Sequence, residues 1–266
     1  SVMFTAEDLN LVLRSPVVRR RYLDLLISQF DRRYLKTLQK YQRIISQRNR
    51  LLKTLEQGNL RENQLEFWDN ELASTGSYIM TRRAETVSVL SQKAKPIHSD
   101  LSDDNENMDL HYSPSFNTDP QMSQKDLAIS LKKALELGRR QEFARGFTMC
   151  GPHRDDLKIL MGNMNAALYA SRGQCRTIVL AIKLAEASYL SEQRGEEPIL
   201  LLDDVLSELD IKRRAHVLHR VSQYEQCFIT STDADQINKS YLKQMTMFTI
   251  NRGVIAHPKT SIGVDK

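Results

Sequence analysis

The stretch Pro198-Ile-Leu-Leu-Leu-Asp-Asp-Val-Leu-Ser-Glu-Leu-Asp210 decides the fold. Its four apolar residues, Ile199 to Leu202, show no polar alternation. They read as a strand buried on both faces, as in a parallel sheet covered by helices. Asp203 and Asp204 stand at the C-terminal end of that strand, where doubly wound sheets bind their ligands. A carboxylate there can hold Mg²⁺ bridging nucleotide phosphates, and its neighbour can orient or deprotonate water. Apolar runs also end in two acids with no ligand at all, because Asp favours turns and helix caps.

Outward from this strand, short apolar runs at 157–161, 227–230 and 245–250 read as further strands, with helical patterns at 174–194 and 211–222 between them. Such alternation implies an α/β layer structure with a mainly parallel sheet and flanking helices. Before residue 146 the pattern is helical. Pro16 sits where a helix can begin, and the next forty or so residues carry an apolar stripe through Leu23, Leu26, Phe30, Tyr34, Leu38, Tyr41, Ile45, Leu52 and Leu55. Gly58 and Asn59 mark a turn, a second helix spans about 61–95, and Pro96 is expected to stop it. The two helices pack most economically as a hairpin. Residues 98–121, rich in Asp, Asn, Ser and Pro, read as an acidic loop with at most a short strand near 109–112, followed by a third helix at 124–142. The expected organisation is a helical lobe over 1–145 and an α/β lobe over 146–266.

The order of motifs around the paired acids raises the case for nucleotide chemistry. Ser171-Arg172-Gly173-Gln174 opens the helix upstream of the strand. A serine hydroxyl and free N–H groups at a helix N-terminus receive an anion well, and glycine permits close approach. Ser207, Glu208 and Asp210 follow the acids directly, and Phe228-Ile-Thr-Ser-Thr-Asp233 lies on the next strand and its exit. Gly151-Pro-His-Arg-Asp-Asp-Leu157 precedes another strand and reads on its own as a tight, charged connection.

Composition narrows the class. The 266 residues carry a formal net charge of +5, enough to suggest a polyanionic partner. The charge is uneven: Arg19, Arg20, Arg21, Arg32, Arg33, Lys36, Lys40, Arg43, Arg48 and Arg50 crowd the first helical stretch, while acids gather at 100–109 and 203–210. Arg19, Arg20, Arg43, Arg48 and Arg50 are the candidates for phosphate contacts with DNA; the bland alternative is a solvated helix face. Three cysteines without CxxC spacing argue against a disulfide framework or a structural zinc site and fit a reducing, cytoplasmic setting. No apolar run long enough for a membrane span and no secretory leader are read in the sequence.

The combination GPHRDDL, ASRGQ and LLLDDVLSELD, with Phe4-Thr-Ala-Glu-Asp-Leu9, Ser15-Pro16, Arg19-Arg20-Arg21 and Tyr41-Gln-Arg-Ile-Ile-Ser-Gln-Arg-Asn-Arg50, resembles the RecF family of bacterial DNA-repair ATPases, of the SMC/ABC type. The resemblance implies the C-terminal part of an ABC-type head joined to a helical lobe. It makes Asp203 the Mg²⁺ ligand of a Walker B strand, Asp204 the catalytic carboxylate, and Ser171, Arg172, Gly173 and Gln174 the signature that meets ATP held by a second protomer. Ser207, Glu208 and Asp210 become a D-loop, and Thr230 or Thr232 stands where transporters place a switch histidine. Cys175 replaces an expected glutamine. The family's G-x-x-x-x-G-K-[ST] loop does not occur in these residues, so the chain reads as an N-terminally truncated form. It is expected to bind no ATP or Mg²⁺ alone, to turn over no ATP, and to leave a sheet edge for another chain to cover. The family further implies gapped or duplex DNA without sequence preference, RecO and RecR as partners, RecA loading, an ATP-dependent homodimer, and roles in recombinational repair, replication restart and the SOS response. A non-enzymatic partner-binding module is the alternative. An SMC-like nuclease of the overcoming-lysogenization-defect type is disfavoured, because no further acidic domain follows Asp210.

Overall fold

The computed structural model describes residues 1–55, 63–102, 107–233, 237, 241 and 245–259. In chain order its elements are β1 (Val2–Phe4), α1 (Asn10–Leu13), α2 (Pro16–Ser28), α3 (Arg32–Leu55), α4 (Asn63–Leu101), β2 (Met108–Ser113), α5 (Gln124–Arg145) and β3 (Asp156–Met161). There follow β4 (Met164–Asn165), α6 (Ala166–Tyr169), α7 (Arg172–Arg194), β5 (Leu200–Asp203), α8 (Ile211–Val221), β6 (Cys227–Thr230), β7 (Met247–Asn251) and β8 (Val254–Lys259).

The strand quoted first is β5, and it lies between β1 and β6 in an all-parallel sheet. Val2 to Phe4 pair with Leu200 to Leu202, so β5 has a neighbour that the sequence reading did not supply. Three residues are too few to show a period, which is why β1 escaped notice. A second, antiparallel sheet joins β2, β3 and β4, and β7 with β8 form a hairpin.

The long helical stretch from Pro16 is two helices, not one. Asp31 ends the first and starts the second: its carboxylate accepts the Tyr34 N–H at 2.8 Å, the Tyr78 hydroxyl at 3.1 Å and Arg82 Nε at 3.0 Å. Burial alone would raise the pKa of Asp31, but these three donors outweigh it and hold the group below its ordinary value. The expected stop at Pro96 is also corrected, since α4 runs through it to Leu101. Proline removes one helical hydrogen bond, but Ala94, Ile97 and Leu101 are buried against the sheet-bearing core and carry the helix on. Arg213 Nε then donates to the Leu101 carbonyl at 2.9 Å, closing the C-terminus. The turn expected at Gly58-Asn59 lies outside the described residues.

Two apolar cores form. One packs β1, β5, α7 and α8 with Val87, Leu90 and Ala94 of α4; the other packs Tyr34, Tyr41 and Ile44 of α3 with Leu72, Ile79 and Met80 of α4 and Leu127, Leu131 and Leu135 of α5. The 39-residue α4 therefore serves both, its first half in the helical core and its second half under the sheet. Among the described residues, no helix is long and apolar enough to cross a membrane.

Candidate functional site

The paired acids project from the C-terminal end of β5, and both are exposed. Parallel pairing sets Asp203 opposite Thr230 on β6. The Thr230 hydroxyl donates to Asp203 Oδ1 at 2.7 Å and accepts the Asp204 backbone N–H at 3.0 Å. One hydroxyl thus orients one acid and fixes the turn that carries the other. Asp204 has φ of 51°, in the left-handed region that Asp tolerates better than most side chains. Its carbonyl accepts the Ser207 hydroxyl at 2.8 Å. The strand thus ends in a tight reversal that leaves both carboxylates outward.

Beyond the reversal, Leu206–Glu208 form one short 3-10 turn. Asp210 is the N-cap of α8, accepting the Arg213 N–H at 2.9 Å and pairing with its guanidinium at 3.2 Å. Arg214 donates to the Leu206 and Leu209 carbonyls at 3.2 and 2.8 Å, tying the loop to α8. A cleft lined by Phe4, Thr5, Val179, Leu180, Val205 and Leu209 opens beside Asp204, with β1 as one wall. Thr232 is exposed on the exit from β6 and makes no described contact with the acids.

Ser171 is the N-cap of α7 in a full capping box: its hydroxyl accepts the Gln174 N–H at 3.2 Å, and Gln174 Oε1 accepts the Ser171 N–H at 2.7 Å. That use leaves the serine's own proton and the Arg172 side chain facing solvent. A Cβ added at Gly173 meets nothing nearer than 3.9 Å, so nothing within the chain requires glycine there. Cys175 is buried beneath the helix start, and burial pushes its thiol pKa up. The unexplained cysteine is a core residue.

Two of the arginines proposed for DNA contact are already committed. Arg48 is fully buried, donating to Asp69 at 2.7 Å, Glu142 at 2.7 Å and Thr148 at 2.8 Å. Both carboxylates hold its pKa up against the burial that would lower it. Arg19 forks onto Asp156 at 2.7 and 3.0 Å. Neither can leave without stranding a charge. Arg43 and Arg50 are exposed, and among the described residues neither pairs with a carboxylate. With Arg32 and Lys36, also exposed, they fall within about 40° around the α3 axis at 3.6 residues per turn. The position of Arg48 relative to Tyr34, Tyr41 and Leu52 on the apolar stripe was the signal that it is buried.

The residues 151–157 form a junction. Arg83, buried, donates to the Pro152 carbonyl at 2.6 Å and to both Asp24 oxygens at 2.8 and 3.0 Å. His153 lies between the Tyr41 hydroxyl at 2.8 Å and the Thr148 carbonyl at 3.1 Å. Asp155, also buried, accepts the Tyr112 hydroxyl at 2.5 Å and the Ser115 N–H at 2.7 Å. Gly151 adopts φ of 116°, and a Cβ there would meet the Tyr41 hydroxyl at 2.7 Å.

Among the described residues, no three His, Cys, Asp or Glu side chains are grouped to hold a metal. Two exposed carboxylates at a strand end still suit Mg²⁺, which keeps several waters and takes its remaining oxygens from phosphates.

No protein-family model matches the chain. It is 40% identical over 257 residues to the DNA replication and repair protein RecF of Herpetosiphon aurantiacus, covering 96% of this chain and 65% of that protein. It is 40% identical over 255 residues to the RecF of Staphylococcus carnosus, covering 96% and 69%. The chain therefore spans about two thirds of the length of the curated relatives it matches (65% and 69%). Two solved structures of the recombination mediator protein RecF in the RecFOR pathway, RecF-ATPrS and RecF-ATP, each superpose with a TM-score of 0.84. Their identities are 33% and 31%, and each match covers 96% of this chain and 66% of the other.

Proposed function

The chain belongs to the RecF family, and from that premise we propose that it is the signature- and acid-bearing part of an ATP-dependent DNA-binding protein of recombinational repair. The observation that carries this reading is the Thr230 hydroxyl bridging Asp203 and the Asp204 backbone at the end of β5. In it Asp203 holds Mg²⁺ and Asp204 positions the attacking water. Ser171, Arg172, Gly173 and Gln174 present a helix N-terminus to ATP on a second protomer, while Ser207, Glu208 and Asp210 line the contact between protomers. Bound Mg²⁺ would neutralise charge on the phosphates. The phosphate-cradling loop is not among these 266 residues, so the chain by itself is proposed to hold neither ATP nor Mg²⁺.

The exposed ridge Arg32, Lys36, Arg43 and Arg50 is proposed to follow duplex DNA near gaps through phosphate contacts, without sequence preference. RecO and RecR are the proposed partners in loading RecA, with ATP closing a homodimer. The division at about residue 145 into a helical lobe and an α/β lobe belongs to the same proposal.

The test measures ATP binding and hydrolysis, with and without gapped duplex, for this chain beside a form extended N-terminally through a G-x-x-x-x-G-K-[ST] loop. Activity confined to the extended form, and lost in Asp204→Asn, is the expected result. Turnover by the present chain would overturn it. A second reading, a partner-docking module without catalysis, is favoured by the exposed Phe228, Phe248, Ile250, Val254 and Ile255. Nucleotide-independent binding of RecR would support it.

A further inference from the structure

Almost every member of the 151–155 turn is committed inward. Pro152, His153 and Asp155 are bonded to Arg83, Tyr41, Tyr112 and Ser115, so the backbone of the turn is set by several buried contacts at once. Arg154 is the exception. It is exposed, and its Nε makes only a long 3.4 Å bond to the Thr148 carbonyl. Its guanidinium carbon lies 4.8 Å from the centroid of the Phe147 ring. Among the described residues its two Nη groups meet no acceptor and no carboxylate pairs with it. Stacking on an aromatic face restrains a guanidinium while leaving its N–H edge available, which is the geometry that forks onto phosphate.

Arg20 shares this corner. Its Nη1 donates to the Asp155 carbonyl at 2.7 Å, and among the described residues it too has no carboxylate ion-pair partner. Burial lowers its pKa most; like charge from Arg83 and Arg154 lowers it further, while Asp156 and Asp155 act the other way. Arg83 is held by Asp24 and Arg19 by Asp156, which leaves Arg20 and Arg154 without an ion-pair partner among the described residues. One guanidinium on the turn and one reaching the turn's Asp155 carbonyl from α2 form a site that an incoming anion relieves. The ridge on α3 is a separate feature, because Tyr41, which touches the turn, points away from Arg43 and Arg50 around that helix.

We propose that Arg154, supported by Arg20 and stacked on Phe147, is a preformed binding position for a backbone phosphate of DNA, separate from the α3 ridge. This rests on the reading of the chain as a DNA-binding protein and adds to it a fixed contact at the junction of the two cores. A phosphodiester is the ligand because the group stands exposed on a turn, where the outward backbone phosphate of a duplex can reach it.

Fluorescence anisotropy of a labelled duplex, titrated from about 50 to 200 mM salt with the form extended N-terminally through the phosphate-cradling loop (the parent here) in the presence of ATP, tests the proposal. Arg154→Gln is expected to weaken binding about fivefold to tenfold near 0.1 M salt and to reduce the slope of log affinity against log salt by about 1. Arg154→Lys, which keeps charge without the fork, is expected to fall between. Thermal melts of both variants should match the parent, since the side chain is exposed. Binding by the parent that weakens in Arg43→Gln/Arg50→Gln but not in Arg154→Gln overturns this site and leaves the DNA reading standing. Absence of salt-dependent DNA binding by the parent overturns both. Inorganic phosphate that raises the melting temperature of the parent but not of Arg154→Gln, with equal DNA affinity in the two, assigns the corner to a free anion and overturns the nucleic-acid assignment.

Discussion

Two segments of this chain carry adjacent aspartates beside a strand, Asp155-Asp156 at the start of β3 and Asp203-Asp204 at the end of β5, and the structure uses them in opposite ways. The first pair is consumed: Asp155 takes two donors from β2 and the segment after it, and Asp156 receives the fork of Arg19. The second pair is left open, with only the Thr230 hydroxyl on Asp203 among the described residues. The same contrast separates Gly151, which a tight φ and the Tyr41 hydroxyl demand, from Gly173, which nothing inside the chain demands. It separates Arg48 from Arg43. A charged or glycine-bearing motif signals binding where its groups are left unspent, and architecture where neighbours have already taken them.

The largest effect is expected at Arg48. Its replacement by Ala strands Asp69 and Glu142 in the interior and should cost about 3–5 kcal/mol in urea unfolding, against less than about 0.5 kcal/mol for Arg43→Ala. Similar losses at both positions would erase the distinction between the two faces of α3. Next, Asp155→Ala removes a charged acceptor from two donors and should cost about 3 kcal/mol, while Asp203→Ala should stay within about 0.5 kcal/mol. A large loss at Asp203 would make the acids of β5 structural as well.

His153 supplies a pH test of the junction. Burial, with the nearby Arg154, Arg20 and Arg48, lowers its pKa from 6.5 to about 4, against a raising contribution from the Thr148 carbonyl. The unfolded chain therefore binds the extra proton first, so this stability is present above about pH 6.5 and is lost as pH falls toward 4. The loss should reach about 3 kcal/mol, and His153→Gln should flatten that part of the acid limb in pH-dependent melts. An unchanged profile in the variant would show that the turn does not depend on a neutral imidazole. The smallest effects come from the glycines. Gly151→Ala should cost about 2 kcal/mol through its φ and the Tyr41 contact, whereas Gly173→Ala, inside a helix and unobstructed, should stabilise by about 0.5–1 kcal/mol. Thermal midpoints moving in the same direction for both would contradict the contrast.

Much of the α/β half was legible. Strands expected at 157–161 and 227–230 lie at Asp156–Met161 and Cys227–Thr230, and the helix expected at 174–194 is Arg172–Arg194, because uninterrupted apolar runs and long periodic stripes carry their own signal. The α/β fold class follows from that half of the chain and RecF family membership from motifs along nearly all of it, and both agree with the structure and its relatives. What failed was local in a different sense. The break at Asp31 depends on donors from α4, the passage through Pro96 on burial against the sheet core, and β1 on a partner nearly two hundred residues away in the chain.

The amino-acid sequence alone determined the main strands and helices of the α/β half, the paired acids at a strand's C-terminal end and the basic character of the first helices, because each is written in neighbouring residues. Only the tertiary structure decided which acids, glycines and arginines remain available. Availability depends on whether a donor or acceptor from a distant segment arrives within hydrogen-bonding distance and excludes water, and that is a property of packing that no local pattern encodes.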